Sequence, residues 1–442
     1  MEQASAPQSG EKLIRALGVP TLTSSIVNAT IGAGIFVLPA GVALGLGPAA
    51  PIAFIICAVA MALIVTSFAI AGSRVSLTGG LYAYVEVAFG SYIGFLAGVL
   101  LWLTNVLAVA GVASAVAAAI GSIAPFAQQG FGRCLVLFLI FSSLAFINIR
   151  GVRAGARTVA TMTVAKLLPL LVFIIVGFFF IKPEALGWSV WPARESVGQT
   201  VLLLIFAFMG IELALVPSGE VKNPSRTVPK SIFLALAITT VIYMAIQLVA
   251  QGVLGADLAK YVDGAPLAEA ASRFMGNAGR SLILVGTAIS AFGYVSGDVL
   301  ASPRTLYVFG QRGILPAKMG EVHPRFRTPH IAIGVHAVIA FALAVSSTFQ
   351  YLAILSNIAA LLLYLLCCSA AFELVRRNVR ADGEPFSFRG QRIIPIVALV
   401  VVVWILSHAT WGEFRVAGIV LAVGSLLYGV SRLRGHGPAK SA

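Results

Sequence analysis

Charge is what this chain has least of. Only 10% of its 442 residues are Asp, Glu, Lys or Arg, and the acids are the rarer sign, 16 against 30 Lys and Arg. A soluble domain of this size cannot cover its surface with so few charges, so a water-soluble protein is excluded. Cysteine is scarce as well. Cys57, Cys134, Cys367 and Cys368 all lie in apolar stretches, at spacings that fit neither a disulfide framework nor a zinc site. Equally missing are a Gly-Lys-Ser/Thr phosphate loop, an H-E-x-x-H or Cys-x-x-Cys pair, and a Ser/His/Asp set placed for hydrolysis. These gaps remove ATP as an energy source, a resident metal and enzymatic chemistry, so no cofactor is expected. There is no repeated filter sequence or ring of acids of the kind a channel carries. No link is long enough for a soluble domain, the longest being 183–197, 255–278 and 377–392.

What is present is apolar sequence. Hydrophobic residues make up 59% of the chain and the mean hydropathy is +0.98. Apolar runs of about 20 residues, each enough to cross a bilayer core as a helix, recur along almost its full length. A barrel would show short alternating strands instead. The runs predict an all-α membrane protein with spans at 20–46, 49–73, 91–124, 131–149, 155–181, 198–218, 230–254, 279–309, 330–348, 350–375, 393–410 and 412–431. The less apolar stretch 76–90 is expected to bend or lie along the inner surface.

An even number of spans puts both termini on one side. With that side inside, only Arg133, Lys182, Arg194, Lys260, Arg273, Arg280 and Arg415 face outward; Lys166 lies in a span and every other Lys and Arg is inside. This bias places both termini in the cytoplasm of a cell whose plasma membrane the chain spans, and it accounts for the net charge of +14 without nucleic acid. The first residues, about 18 of them, are polar, lack a signal-peptide pattern and read as a cytoplasmic tail. The partners expected are the lipid bilayer and a small molecule; an oligomer is not readable.

One stretch is out of place in a spanning helix: Thr30, Ile31, Gly32, Ala33, Gly34, Ile35 and Phe36, T-I-G-A-G-I-F. Small residues there make either a packing seam between helices or a helix break whose free amides, at the positive end of a half-helix, suit a carboxylate. Alone, the stretch leaves both open. Span 6 carries a second interruption, F-A-F-M-G-I-E from Phe206 to Glu212, followed by Pro217, Ser218 and Gly219. Paired interruptions in corresponding spans point to a midplane substrate site, which favours the break. Carbonyls near Phe206, Ala207 and Met209 then suit an ammonium, with Phe206 as an apolar lid.

Three ionisable residues, Lys166, Glu212 and Asp298, lie inside spans. Each costs roughly 2.5 to 3.5 kcal/mol at a helix centre, so each needs a partner or a task. Lys166 can take part in proton coupling, stand in for a sodium ion by donating to span 1 carbonyls, or simply brace helices. Glu212 is either a titrating acid or one satisfied by backbone amides. Asp298 either faces the pocket and favours a cationic side chain or caps or pairs near the cytoplasmic end. Asn105 on span 3 can offer donor and acceptor to a substrate side chain or bond a neighbouring helix. His336 and His408 read as structural.

Taken with N-I-R-G-V-R (Asn148 to Arg153), G-G-L-Y-A-Y-V-E-V-A-F-G (Gly79 to Gly90), G-E-V-K-N-P-S-R-T-V-P (Gly219 to Pro229), R-T-L-Y and R-G-I-L-P (Arg304 to Pro316), these residues resemble the amino acid-polyamine-organocation superfamily of secondary transporters. The resemblance covers nearly the whole chain. It implies a leucine-transporter-type fold: a first inverted repeat of five helices over 19–182, a second over 197–376, and two further helices over 392–432, between tails 1–18 and 433–442. It further implies alternating access, with Gly32, Ala33 and Gly34 holding a substrate carboxylate, the span 6 break holding the amino group, and Phe206 as gate. Lys166 then stands where sodium-coupled relatives bind the ion, Glu212 matches an acid linked to proton sensing in some members, and positions matching Asn105 and Asp298 approach the substrate side chain in arginine exchangers. The chain departs from the arginine exchangers of the group, which carry an aromatic at Asp298 and a larger one at Phe206. The expectation is proton-coupled amino acid uptake. Exchange of amino acids or amines, cationic ones or polyamines among them, is the nearest alternative, and a channel or non-transporting receptor the alternative of another class.

Overall fold

The computed structural model describes residues 18–75, 81–121, 124–150, 156–187, 191–211, 224–380 and 385–433, and among them there is no β-strand. Among the described residues fifteen α-helices follow one another: α1 (Val19–Thr30), α2 (Gly34–Leu46), α3 (Ala50–Gly72), α4 (Leu81–Phe89), α5 (Ser91–Gly121), α6 (Gly130–Ile149), α7 (Ala156–Gly177), α8 (Arg194–Phe208), α9 (Pro224–Leu254), α10 (Pro266–Ala301), α11 (Pro303–Gln311), α12 (His330–Ser346), α13 (Phe349–Arg376), α14 (Ile393–Leu406) and α15 (Trp411–Leu433). Seven helical stretches among the described residues are long and apolar enough to cross a membrane: Gly34–Gly72, Ser91–Gly121, Gly130–Ile149, Arg226–Tyr261, Pro266–Gln311, Phe349–Arg376 and Trp411–Leu433. Three shorter apolar helical stretches accompany them, Ala165–Phe180, His330–Ser346 and Ile393–Leu406.

Glycine and proline divide these helices where the sequence read simple spans. The run 20–46 is two helices, α1 and α2, and the run 279–309 is α10 followed by α11. Pro303 lacks the N–H that would continue α10, and it opens α11 instead. The expected link 255–278 is itself largely helical, with a 3₁₀ turn at Gly255–Tyr261 and an early α10 that kinks at Gly276, where φ is +60°. The stretch expected to lie along the surface carries the short helix α4.

The bundle is organised around α5 and α13, which pack along each other and lie mostly buried. Polar groups knit them to their neighbours, because inside a bilayer a backbone carbonyl or side chain must be satisfied within the protein. Ser356 on α13 donates to the Thr104 carbonyl of α5 at 2.8 Å. Asn357, fully buried, donates to the Leu202 and Leu203 carbonyls of α8 at 2.7 and 3.2 Å. Small residues allow close approach: Gly111 of α5 lies against Leu352 and Phe349 of α13, and Gly98 against Phe309. The outer helices have the opposite character. Phe131, Phe138 and Phe146 on α6 and Val400, Ile419 and Leu426 on α14 and α15 point outward, an apolar exterior that suits lipid.

Arg133, at the start of α6, closes one end of this arrangement. Its Nη2 donates to Ser114 Oγ on α5 at 2.8 Å and to the Ala344 and Ser347 carbonyls, at the C-terminal end of α12, at 3.1 and 3.0 Å. A cation there also meets the negative end of the α12 dipole. Arg133→Ala is expected to cost about 1–3 kcal/mol, read as a lower melting temperature of detergent-purified protein, with Arg133→Lys keeping part of the difference. Equal melting temperatures for wild type and Arg133→Ala would show that the three contacts contribute nothing.

Candidate functional site

The first break follows directly from its small residues. α1 ends at Thr30, whose hydroxyl donates back to the Ile26 carbonyl at 2.9 Å. Ile31 still donates to Val27 at 2.9 Å but turns out of the helix, with φ −74° and ψ 86°. Gly32 N–H then closes on the Thr30 carbonyl at 2.8 Å, an inverse γ-turn centred on Ile31. Ala33 caps α2, which starts at Gly34. At the head of a helix the first amides have no intrahelical acceptor, and among the described residues those of Ala33, Gly34 and Ile35 donate to no backbone carbonyl. Ile31, Ala33 and Gly34 are buried, so these amides face the interior.

The second break lies against the first. α8 ends at Phe208, Met209 is extended at φ −65° and ψ 150°, and Gly210 takes φ +100°. A side chain at Gly210 would be strained by that φ and would also press on the Ala29 carbonyl oxygen, 2.9 Å from where its Cβ would lie. Glycine is therefore required twice over. One turn earlier the Phe206 ring covers Gly34, so that a Cβ at Gly34 would lie 3.0 Å from Phe206 Cδ1. The same ring meets Phe349 of α13 edge-on, with centroids 5.5 Å apart, and both rings are buried. Glu212 lies outside the described residues.

A single side chain ties the two breaks together. Tyr243 of α9 is fully buried, and its hydroxyl lies 2.9 Å from the Thr30 carbonyl and 2.9 Å from the Ala207 carbonyl. The Phe208 ring packs edge-on against it, centroids 5.5 Å apart. One turn along α9, Gln247 donates to the Pro39 carbonyl of α2 at 3.3 Å. Both were passed over in the sequence, although two polar residues four apart in an apolar span mark one helix face. The Lys166 ammonium donates to the Asn28 carbonyl of α1, two residues before the break.

The other candidates fall differently. Asn105 is half-buried on α5, and among the described residues no hydrogen bond joins it to either break. Asp298 has side-chain partners of its own. Its Oδ2 lies 3.0 Å from His336 Nε2 on α12, and its Oδ1 accepts from Ser302 Oγ at 2.5 Å. These are partners of the kind the pairing reading of Asp298 calls for. The pairing also gives His336 a specific carboxylate partner. The site residues the structure brings together are thus Thr30, Ile31, Gly32, Ala33, Gly34, Phe206, Ala207 and Met209, with Lys166 behind α1.

Two mid-span helix breaks brought into contact, inside an apolar helical bundle, define a membrane transporter in which main chain forms the candidate site. The amino acid permease family matches residues 17–427, nearly the whole chain, and the chain belongs to that family. It is a transporter family, not one of enzymes. The chain is 29% identical to the methylthioribose transporter of Bacillus subtilis (strain 168), over 97% of this chain and 95% of that one. It is 28% identical to the serine/threonine exchanger SteT of the same organism, over 96% and 95%, and 26% identical to its branched-chain amino acid permease BcaP, over 96% and 94%.

Removing the hydroxyl that bridges the breaks leaves two buried carbonyls short of a donor. Tyr243→Phe is expected to cost about 1–3 kcal/mol, and Gly210→Ala at least as much through strain and the clash with Ala29. Thermal melts of the purified variants check both. A Tyr243→Phe protein as stable as wild type would show that the hydroxyl does not hold the breaks.

Proposed function

We propose that the chain is a secondary active amino acid transporter that works by alternating access and couples uptake to protons. The observation that carries this reading is the contact between the breaks. Free amides at Ala33, Gly34 and Ile35 follow directly on the carbonyl end of α1, which the Tyr243 hydroxyl ties to the end of α8. Donors suited to a carboxylate and acceptors suited to an ammonium are what an amino acid's two common groups require. In this reading the α2 amides take the carboxylate, the α8 end takes the amino group, and Phe206 covers both. Main chain recognises only what all amino acids share, so side-chain choice falls to other positions, Asn105 among them.

The reading includes the full layout: twelve spans, five in each of two inverted repeats over 19–182 and 197–376, two more over 392–432, and both termini cytoplasmic. Every described break and the Lys/Arg asymmetry are compatible with it. Lys166 is then the coupling lysine, holding α1 through Asn28, and Glu212 the second coupling residue. No ATP is used. Exchange is the second reading, favoured by the similarity to a protein named as a serine/threonine exchanger.

Uptake of a radiolabelled amino acid panel into proteoliposomes separates these readings. An inward proton gradient is expected to raise accumulation without internal amino acid. Indifference to the gradient with strict dependence on internal substrate would replace symport by exchange, and no saturable uptake of any amino acid would defeat the transporter reading. Lys166→Ala is expected to lose the pH dependence of uptake; an unchanged pH profile would remove Lys166 from coupling.

A further inference from the structure

A second buried polar chain lies on helices that carry neither break. Trp102 on α5 donates its indole N–H to His336 Nδ1 at 3.2 Å. His336 Nε2 lies 3.0 Å from Asp298 Oδ2, and Ser302 Oγ donates to Asp298 Oδ1 at 2.5 Å. His336 is fully buried, and the Asp298 side chain is 7% exposed. Indole is a donor only, so Nδ1 must carry the lone pair and Nε2 the proton. Three donors, on Trp102, His336 and Ser302, thereby meet three acceptors, on His336 and the two oxygens of Asp298. A further proton taken up on Nδ1, whose single lone pair accepts from Trp102, expels the Trp102 N–H and leaves an imidazolium beside the Asp298 carboxylate.

Of the other titratable groups on the elements packed around it, Lys166 on α7 donates to Asn28 and Tyr307 on α11 accepts from Gln311. Tyr92 is the one ionisable side chain on α5, and it bonds Ser425 on α15. On α6, Arg133 holds the far end of α12, Cys134 is its neighbour in sequence, and Arg150 is exposed over the Phe146 ring. Arg304 on α11 and Lys318 in the following turn are exposed. On α10, Tyr294 lies one turn before Asp298, with Glu269, Arg273 and Arg280 towards the helix start; on α12 itself His330 opens the helix. Among the described residues, Asp298 is the carboxylate within ion-pair reach of His336.

We propose that the Trp102–His336–Asp298–Ser302 chain is a proton-binding site of the transport cycle, additional to Lys166; this rests on the transporter reading but not on symport. Loading one proton on Nδ1 breaks the Trp102 link and so loosens α5 from α12. Trp102 lies one helical turn from Asn105, and the next residue but one, Thr104, has its carbonyl held by Ser356 of α13. Occupancy of the chain is thereby transmitted along α5 towards the helices around the breaks. A static brace between helices would use the same bonds but would not respond to pH.

The test uses His336→Gln in the full-length protein. A glutamine amide places an acceptor and a donor about where the two ring nitrogens lie, so it can accept from Trp102 and donate to Asp298 but binds no proton in this range. Two readouts are taken between about pH 5 and 8, the interval in which histidine ordinarily changes charge. The first is tryptophan emission of purified protein, because imidazolium quenches an adjacent indole. A transition present in wild type and lost in both His336→Gln and Trp102→Phe is expected. The second is the pH profile of amino acid counterflow in proteoliposomes, each variant scaled to its own maximum, and His336→Gln is expected to flatten it. Absence of a His336-dependent emission transition would overturn the site. A transition with an unchanged counterflow profile in His336→Gln would overturn its part in transport. Should His336→Gln fail to fold, Trp102→Phe carries the test, with a shifted profile expected and an unshifted one counting against the proposal. Counterflow that no amino acid supports would instead defeat the transporter reading.

Discussion

Everything at the centre of this molecule depends on keeping broken backbone satisfied where water is scarce. A helix that stops inside a bilayer exposes carbonyls at one end and amides at the next, and lipid satisfies neither. The Tyr243 hydroxyl meets that demand for two helices at once, touching the last carbonyls of α1 and α8. A phenol has one proton to donate, so the two carbonyls share it. The pair is therefore held together but not fully satisfied, and an added donor such as an ammonium group would complete it. The amides at the head of α2 are in the complementary position, donors with no backbone acceptor. A main-chain site of this kind is stable enough to persist and unsaturated enough to bind.

Packing around the breaks explains why they lie in one place. Gly210 allows the second break to approach the Ala29 carbonyl, and Gly34 allows the Phe206 ring to lie across the first. Phe349 holds that ring from the other side, so the aromatic cover is anchored on α13. α13 is in turn fixed to α5 and α8 through Ser356 and Asn357. The cover over the site thus rests on the most buried pair of helices, while the apolar side chains of α6, α14 and α15 face outward.

The breaks were legible in the sequence because their cause is local. Gly32, Ala33 and Gly34 sit where a spanning helix would carry large side chains, and Gly210 lies within the interrupted run from Phe206 to Glu212. The donation from Lys166 to a span 1 carbonyl was among the readings the sequence left open, and its carbonyl is that of Asn28. Tyr243 was not legible in this way. An aromatic in an apolar span looks like core, and only tertiary contact reveals that its hydroxyl bridges helices more than 200 residues and 36 residues away. The boundaries of α10 were misread for a related reason: a Gly kink and a Pro restart leave hydropathy almost unchanged while redirecting the chain.

Asp298 shows how a buried charge changes meaning once its partner is known. By position it invites a cationic substrate, since an unpaired carboxylate inside a membrane needs a counter-charge. Its oxygens instead accept from His336 and Ser302, and Trp102 fixes the histidine tautomer that makes this possible. A carboxylate with both oxygens engaged has little to offer a substrate ammonium unless one of those bonds opens first. In the proposed reading, recognition of the groups all amino acids share rests on main chain at the breaks and the proton response on side chains of α5, α10 and α12, so the two are separable.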